Sequence, residues 1–299
     1  MRISDISQKG FALTYQVYNE QDFEVLMLCE SQNTRRACTF VDTEKYVDKI
    51  PENVVMVITN QDRKAHFLRE GRGVIVTDTP RLFYFKLHNY LCGFPDYRGA
   101  QKSSQISSSA VISPLAMVSE WNVEIGENVT IEPFVIVHPN VKIGEGSVIR
   151  SGAAIGGSGF EYKREPEGIL PVTHVGSVNI GRYVEIHDHT CVDKALYPWD
   201  STVIGDHTKI DKNVYIAHGV KIGSCVMVAA NAAIAGRVQI RKNAWIGLGA
   251  CIRNGVTIGC GARANMGAVV TKDVFDHESV TGNFAMEHSK FLEKMRKSE

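Results

Sequence analysis

The chain has 299 residues, of which 44% are hydrophobic and 22% are charged, a composition typical of a globular protein with ample core. Lys and Arg together number 33, as do Asp and Glu, so no net charge favours a nucleic acid or a membrane surface. The opening MRISDISQKG lacks the apolar core of a signal peptide, and no segment approaches the roughly 18 apolar residues of a membrane span. With seven cysteines and no C-x-x-C, the sequence predicts a soluble cytoplasmic protein with free thiols.

Residues 1–103 show no internal repeat. They contain three apolar runs that read as strands: FEVLMLCE (23–30), NVVMVIT (53–59) and GVIVTD (73–78). TPRLFYFKLHNYL (79–91) reads as a helix, with Thr79 placed to cap it and Pro80 at its first position. Strands alternating with a helix predict a small α/β domain over 1–103, linked onward through the serine-rich QKSSQISSS (101–109).

From Ile204 onward the sequence repeats every six residues. Ten aliphatic residues follow one another in register, at positions 204, 210, 216, 222, 228, 234, 240, 246, 252 and 258. The residue four positions after each of them is small or branched, from Thr208 and Val214 to Ala262. Neither a helical period nor simple strand alternation produces this unit. It predicts a coil of short parallel strands whose interior is filled by the aliphatic residues.

The same phase occurs upstream, at Ile125, Ile131, Val137, Ile143, Ile149 and Ile155, and again at Ile180, Ile186 and Val192. Two segments interrupt it, GGSGFEYKREPEGILPVTH (156–174) and KALYPWDS (194–201). Interruptions of a solenoid are loops on one face, and such loops often carry the binding function.

The six-residue pattern resembles that of the hexapeptide-repeat proteins. The resemblance implies a mainly β fold: a left-handed parallel β-helix with 18 residues in each coil, over residues 104–283, in a homotrimer. The N-terminal α/β domain (1–103) precedes it, and AMEHSKFLEKMRKSE predicts a short C-terminal helix over 284–299.

One histidine stands in the repeat segment YIAHGVKIG, at position 218. With 18 residues in each coil, Gly236 stacks on His218 at a spacing of about 4.8 Å. An imidazole can accept a proton from an attacking amine or hydroxyl, and a backbone N–H beside it can stabilise the oxyanion of a thioester under attack. The pair therefore predicts direct acyl transfer.

At this point the sequence resembles the UDP-3-O-acylglucosamine N-acyltransferases of lipid A synthesis. IGGSGFEYKREPEGILPVTHVGSVNIG (155–181) is similar to that family's glycine-phenylalanine loop, and 191–223 is similar to its next stretch. The resemblance implies that His218 is the general base, that Gly236 supplies the oxyanion N–H, and that a substrate loop contains Gly159, Phe160 and Tyr162. It also implies no bound metal and no permanent cofactor.

CTFVDTEKY (38–46) is similar to the segment in which that family holds a uracil ring between aromatic side chains. The resemblance implies a nucleotide-binding role for Phe40 and Tyr46 in the N-terminal domain, since aromatic faces stack on a base. Two core aromatic residues would be the structural alternative.

Several residues depart from the family pattern. Glu161 replaces the loop's second glycine, and the family's second histidine, two coils beyond the first, is missing from RNGV (253–256). The ending, ANMGAVVTKDVFDHESVTGNFA (264–285), is more similar to that of sugar N-acetyltransferases. The acyl donor therefore stays open between acyl carrier protein, through its phosphopantetheine, and CoA. Asp193 and Asp211 are the candidates in the sequence for orienting the imidazole.

Three alternatives compete with an N-acyltransferase of a UDP-3-O-acylglucosamine-like substrate. One is an acetyl-CoA-dependent N-acetyltransferase of a UDP- or dTDP-linked amino-deoxy sugar, as in O-antigen or glycan synthesis. Another is a zinc hydratase of the γ-carbonic anhydrase kind, which needs three converging histidines, although Gly223 stands where a second ligand is expected. The third is a sugar-nucleotide-binding scaffold, which would need Phe40 and Tyr46 but not His218.

Overall fold

The structure is a computed structural model that describes residues 1–11, 13–31, 33–166, 168–282 and 284–296. The chain divides into two compact units. The first comprises Met1–Gln101 together with Phe160–Val175 and Tyr197–Trp199. The second comprises Lys102–Gly159, Gly176–Leu196 and the chain from Asp200 onward.

In the first unit, the described residues form a five-stranded sheet of order β1-β5-β4-β3-β2, antiparallel only between β1 and β5. Its strands are β1 (Gln16–Tyr18), β2 (Val25–Leu26), β3 (Ala37–Val41), β4 (Val54–Thr59) and β5 (Gly73–Val76). The helices are α1 (Ile3–Gln8), α2 (Lys64–Arg69), α3 (Pro80–Leu91) and α4 (Pro95–Arg98), with 3₁₀ turns at Glu44–Lys49 and Gln61–Arg63. The predicted α/β character is confirmed.

Helix α3 begins at Pro80, as predicted, but the capping role expected of the Thr79 side chain is wrong. Thr79 stands at the cap position and its side chain makes no capping hydrogen bond. Its φ of −128° and ψ of 69° are not those of the extended backbone usual for a capping side chain. The first turn is instead closed by the Phe83 N–H, which donates to the Thr79 carbonyl at 2.9 Å.

The second unit is built on three parallel sheets, which in the described residues contain nine, eight and eight strands. The first sheet comprises β7 (Val111–Ile112), β10 (Thr130–Ile131), β13 (Val148–Ile149), β18 (Glu185–Ile186), β21 (Lys209–Ile210), β24 (Met227–Val228), β27 (Trp245–Ile246), β30 (Arg263–Ala264) and β32 (Ser279–Val280). The second comprises β8 (Met117–Val118), β11 (Ile136–Val137), β14 (Ala154–Gly157), β19 (Cys191–Asp193), β22 (Tyr215–Ile216), β25 (Ala233–Ile234), β28 (Cys251–Ile252) and β31 (Val269–Val270). The third comprises β6 (Gln105–Ile106), β9 (Val123–Ile125), β12 (Val141–Ile143), β17 (Ser177–Ile180), β20 (Ser201–Ile204), β23 (Lys221–Ile222), β26 (Gln239–Ile240) and β29 (Thr257–Ile258).

The register of these sheets follows from the repeat. Ile216 pairs with Ile234 and Ile234 pairs with Ile252, so each coil contains 18 residues. All ten aliphatic residues of the series from Ile204 to Ile258 are buried, and so are the residues four positions after them. Asparagines at several corners, such as Asn213 and Asn231, adopt positive φ, which asparagine tolerates better than most residues.

Most of both predicted interruptions, residues 160–174 and 197–199, belongs to the first unit, whereas their ends stay with the coil: Gly156 and Gly157 lie in β14, and Ser201 begins β20. The segment 156–174 contains an antiparallel hairpin, β15 (Tyr162–Glu165) and β16 (Gly168–Pro171). His88 Nε2 lies 2.8 Å from the Thr173 carbonyl oxygen, and the Asn89 amide donates to the Pro171 carbonyl at 2.8 Å. In the shorter loop, the Tyr84 hydroxyl donates to the Tyr197 hydroxyl at 2.9 Å, and Trp199 donates to the Leu26 carbonyl.

The described chain ends in helix α5 (His288–Arg296), so the predicted C-terminal helix is present. The last three residues of the predicted segment, 297–299, lie outside the described residues, as does the boundary residue 283. Within the described ranges, no helix has the length and apolar character needed to cross a bilayer. The predicted fold class is confirmed: a left-handed parallel β-helix of hexapeptide repeats, with a small α/β domain before it and a short helix at the end.

Candidate active site

His218, Gly236 and Asn254 form a column along one corner of the β-helix. Each stands two residues after the buried isoleucine of β22, β25 or β28, and these three strands pair in succession at a spacing of 18 residues. The coil register therefore stacks the three residues directly on one another. His218 is buried, with 6% of its surface exposed, Gly236 is buried, and Asn254 is exposed.

The absence of a side chain at Gly236 leaves a space that two polar atoms face. A Cβ placed on Gly236 would lie 2.8 Å from His218 Nε2 and 3.0 Å from Asn254 Oδ1. The two atoms are therefore at most about 6 Å apart, so one donor nitrogen that lies between them, clear of the Gly236 Cα, can approach hydrogen-bond distance of both. The predicted stacking of Gly236 on His218 is present in the structure, and Asn254 follows in the next coil.

The backbone N–H of Gly236 lies between two N–H groups that bond to neighbouring coils. The Ala235 N–H donates to the Ile252 carbonyl and the Arg237 N–H donates to the His218 carbonyl. Among the described residues the Gly236 N–H makes no such bond across the coils. An amide that the coil does not use is available to an incoming oxygen.

Asp193 is the predicted orienting carboxylate that lies close enough to His218 for their charges to interact. Asp193 is buried at the end of β19 and accepts a hydrogen bond from the Tyr215 hydroxyl at 2.7 Å. Burial raises the pKa of its carboxyl, while the Tyr215 hydrogen bond and the positive charge of His218 act to lower it. Asp211, the other candidate, instead accepts a hydrogen bond from its neighbour, the Lys212 N–H.

Two basic side chains lie on the same corner, one and three coils before His218. Lys194 occupies the column position immediately before His218, and burial lowers the pKa of its amine. The pKa of His138 is also lowered, first by burial and then by the positive charge of Lys194. Burial therefore disfavours the charged forms of both side chains at this corner.

Phe40 and Tyr46, the predicted nucleotide-binding residues, are both half-buried in the first unit. The Phe40 ring lies 5.0 Å from that of Tyr84 and 6.0 Å from that of Phe85, with the Arg81 guanidinium 5.7 Å from the Phe40 centroid. Tyr46 packs on the core of the α/β domain, with the amines of Lys45 and Lys49 5.2 and 5.9 Å from its ring centroid. Each ring therefore combines an apolar support with a nearby cation, and in the described residues the two rings do not contact each other.

The predicted substrate loop presents its aromatic side chains to the surface. Phe160 is 80% exposed and Tyr162 48% exposed, and their ring centroids are 4.8 Å apart. Gly159 immediately precedes this pair, at the boundary between the two units. The loop also reaches the Phe40 cluster, because the Lys163 amine lies 4.3 Å from the ring centroid of Phe85. The structure therefore brings the predicted nucleotide residue Phe40 and the predicted loop into one neighbourhood.

Comparison with known proteins finds similarity to hexapeptide-repeat transferases. The bacterial transferase hexapeptide family (six repeats) matches residues 122–157 and 201–236, and the second match contains His218 and ends at Gly236. A UDP-3-O-acylglucosamine N-acyltransferase of Helicobacter pylori (strain HPAG1) is 26% identical over 208 residues, which cover 62% of this chain and 61% of that protein. One of Pseudomonas fluorescens (strain Pf0-1) is 39% identical over 82 residues, covering 27% of this chain and 23% of that protein.

These relatives confirm the resemblance that the sequence predicted. The chain spans about three fifths of the length of the Helicobacter relatives. Among solved structures, an Arabidopsis UDP-N-acetylglucosamine acyltransferase aligns with a TM-score of 0.48 and 24% identity, over 59% of this chain and 71% of that one. Within the described residues, no group of three His, Cys, Asp or Glu side chains is placed to hold a metal ion.

The raised pKa of Asp193 predicts how its contribution to stability depends on pH. Because the folded carboxyl binds its proton more tightly than the unfolded one, its favourable contribution is full below the unfolded pKa of about 3.9 and is lost as the pH rises through the folded pKa. Asp193→Asn keeps an oxygen acceptor for the Tyr215 hydroxyl and removes the buried charge. We expect its melting temperature to rise relative to that of the unmodified chain between about pH 3.5 and about pH 8.

Thermal denaturation followed by circular dichroism at both pH values measures this difference. Asp211→Asn is the matched control, for which we expect no such trend. An Asp193→Asn melting temperature that shifts equally at both pH values would contradict the expected linkage.

Proposed function

We propose that this chain, a relative of the UDP-3-O-acylglucosamine N-acyltransferases, transfers an acyl group from a thioester to the amino group of a nucleotide-linked amino sugar. The observation that carries the proposal is the position of His218 Nε2 at 2.8 Å from the point where Gly236 would bear a side chain. A general base facing a vacant position beside a backbone N–H is the equipment that direct acyl transfer needs.

The reaction uses His218 as the general base. The acceptor nitrogen attacks the thioester carbonyl carbon while His218 Nε2 accepts one of its protons. The tetrahedral intermediate then collapses, the carbon–sulfur bond breaks, and the protonated imidazole returns the proton to the departing sulfur. No covalent acyl-enzyme is required, since the thioester is reactive enough for direct attack. Asp193, whose carboxyl interacts with the charge of His218, is the residue that orients the imidazole in this proposal.

Gly236 has two roles in this scheme. Its N–H donates to the carbonyl oxygen as negative charge develops there, and such a donor typically contributes about 10²- to 10³-fold in rate. Its missing side chain provides the room in which acceptor and donor meet, because a Cβ would be within 3.0 Å of both His218 and Asn254.

The α/β domain and the loop that packs with it supply the nucleotide site in this proposal. The base stacks on Phe40 and Tyr46, whose rings have apolar support on one side and Arg81, Lys45 and Lys49 nearby. The cations suit the phosphates of a uridine diphosphate sugar. Gly159, Phe160 and Tyr162 form the loop that covers the sugar.

The donor is an acyl thioester, carried by the phosphopantetheine of acyl carrier protein or by CoA, and no cofactor stays bound between turnovers. We further propose that the chain works as a homotrimer in the cytoplasm, the arrangement that the hexapeptide repeat implies. The cysteines are free thiols in the described chain, which is compatible with a reducing compartment.

An acyl-transfer assay followed by mass spectrometry tests the function. The acceptors are UDP-3-O-acylglucosamine and several UDP- and dTDP-linked amino-deoxy sugars; the donors are acyl carrier protein thioesters of varied length and acetyl-CoA. Product from the acylated glucosamine with a carrier thioester supports the proposal. Product only from an amino-deoxy sugar with acetyl-CoA would show that the chain is an N-acetyltransferase of that sugar instead. No product with any pair would overturn acyl transfer to nucleotide-linked amino sugars.

His218→Ala is expected to lower turnover by about 10²-fold or more, because the reaction loses its general base. His207→Asn is the matched control: His207 stands at another corner, and its φ of 60° suits asparagine. Initial rates on the best acceptor–donor pair measure the effect, and circular dichroism verifies folding. A folded His218→Ala variant with near-normal turnover would remove His218 from the mechanism.

Phe40→Ala and Tyr46→Ala together are expected to weaken UDP binding by roughly 1–3 kcal/mol, the range found for base stacking on aromatic side chains. Tyr18→Ala is the control, since Tyr18 packs on the same core as Tyr46 and also has a lysine, Lys64, over its ring. Isothermal titration calorimetry with UDP gives the affinities. Unchanged affinity in the folded double variant would locate the nucleotide elsewhere.

A further inference from the structure

Asn254 is the third residue of the column that contains His218 and Gly236, and its side chain is polar. Its Oδ1 lies 3.0 Å from the Cβ position of Gly236, while His218 Nε2 lies 2.8 Å from the same position on the opposite side of the column. The coil fixes this arrangement, because Cys251 and Ile252 pair with Ala233 and Ile234, which in turn pair with Tyr215 and Ile216. The two atoms therefore form a pair of hydrogen-bond acceptors on either side of one space.

The number of protons on the attacking atom of the substrate decides whether it can donate a hydrogen bond to both side chains. A primary amine that attacks with its lone pair has two N–H groups left, whereas an attacking hydroxyl has one O–H. An unprotonated Nε2 of His218 accepts a hydrogen bond from one N–H or O–H only. A second hydrogen-bond acceptor near the attacking atom can therefore be used only when the attacking atom is an amine nitrogen, which has a second N–H.

We propose that Asn254 Oδ1 accepts a hydrogen bond from the attacking amine of the acceptor, so that Asn254 positions the nucleophile and selects nitrogen over oxygen. This inference rests on the proposed function. One N–H of the amine points to His218 Nε2 and the second points to Asn254 Oδ1, which directs the lone pair at the thioester carbonyl carbon.

The protons and bonds balance in this step. The carbon–nitrogen bond forms, His218 removes the proton that faces it, and the carbon–sulfur bond breaks as that proton passes to sulfur. The second proton stays on the nitrogen of the product amide, still donated to Asn254. A hydroxyl acceptor donates its single O–H to His218 and makes no bond to Asn254, so its transition state gains nothing from this residue.

The local backbone makes Asn254 a suitable residue for substitution. The turn RNG places its positive φ of 74° at Gly255, and Asn254 is not among the residues with positive φ. The Asn254 side chain is exposed, outside the row of buried aliphatic residues that holds the coil together. Replacing it therefore changes the site without straining the fold.

Three variants test the role: Asn254→Ala removes the acceptor, Asn254→Asp keeps an oxygen acceptor, and Arg253→Ala is the exposed neighbouring control. The assay uses UDP-3-O-acylglucosamine, its analogue with a hydroxyl in place of the amine, and an acyl carrier protein thioester. We expect Asn254→Ala to lower kcat on the amine by about tenfold, the effect of one hydrogen bond to the nucleophile, with KM values for both substrates little changed.

The same variant is expected to leave the rate on the hydroxyl analogue unchanged, so that the preference for nitrogen falls with kcat. Asn254→Asp should recover most of the amine rate, and Arg253→Ala should retain all of it. A loss through general destabilisation would lower the rates on both acceptors and would not be recovered by aspartate.

Two results overturn the inference while leaving the proposed function intact: an Asn254→Ala kcat within about twofold of the unmodified enzyme, or an Asn254→Asp variant as slow as Asn254→Ala. If the unmodified enzyme acylates no amino acceptor, the proposed function fails, and this role of Asn254 fails with it.

Discussion

The structure depends on burying one aliphatic side chain every six residues. Each of these residues fills the interior of a coil, and its full burial stabilises the fold by roughly 1.5–3 kcal/mol. Because a shift of one residue would turn the whole row outward, the row fixes the register of every strand pair. A residue can stack only with partners 18 positions away in uninterrupted coils, as Ile216, Ile234 and Ile252 do.

The proposed chemistry is a consequence of this register. His218, Gly236 and Asn254 follow three successive buried isoleucines, so regular secondary structure alone determines their separation and no flexible loop is needed to align them. A site held this way has little freedom to rearrange, which suits a reaction that relies on preorganised donors and acceptors. The proposed substrate recognition, in contrast, depends on residues outside the register, in the α/β domain and in the part of the 156–174 loop that packs with it.

Much of the β-helix follows from the sequence because its determinants are local and periodic. The interior residues, the 18-residue spacing and the pairing of His218 with Gly236 come from counting along the chain. The same count leads from His218 to Asn254, two coils on, but an exposed asparagine in a turn such as RNGV has no sequence signal that separates a site residue from an ordinary turn residue. Asp193 was one of two candidates by sequence, and only the folded structure distinguishes it from Asp211, through its burial and the charge of His218.

The loops and the α/β domain were less predictable because contacts between distant residues determine them. Tyr84 and Tyr197 are 113 positions apart, and no local pattern indicates that their hydroxyls form a hydrogen bond. The Thr79 side chain was expected to cap α3 from sequence preference alone, yet the backbone conformation at Thr79 leaves that bond unmade. Phe40 is linked to the 156–174 loop through Phe85, whose ring lies next to that of Phe40 and close to the Lys163 amine. Phe85 and Lys163 are 78 positions apart in the sequence.

The most direct measurement is the acyl-transfer rate of Gly236→Ala, because the central claim is that the reacting groups meet in the space beside Gly236. The added methyl would contact His218 Nε2 and Asn254 Oδ1, whereas a methyl added by Gly282→Ala, the control, meets no atom of the described residues within 4 Å. We expect a loss of at least about 10²-fold in rate for Gly236→Ala, because the methyl displaces the reacting groups, with the fold and the UDP affinity retained, and full activity for Gly282→Ala. A folded Gly236→Ala variant that transfers acyl groups at the rate of the unmodified chain would contradict it.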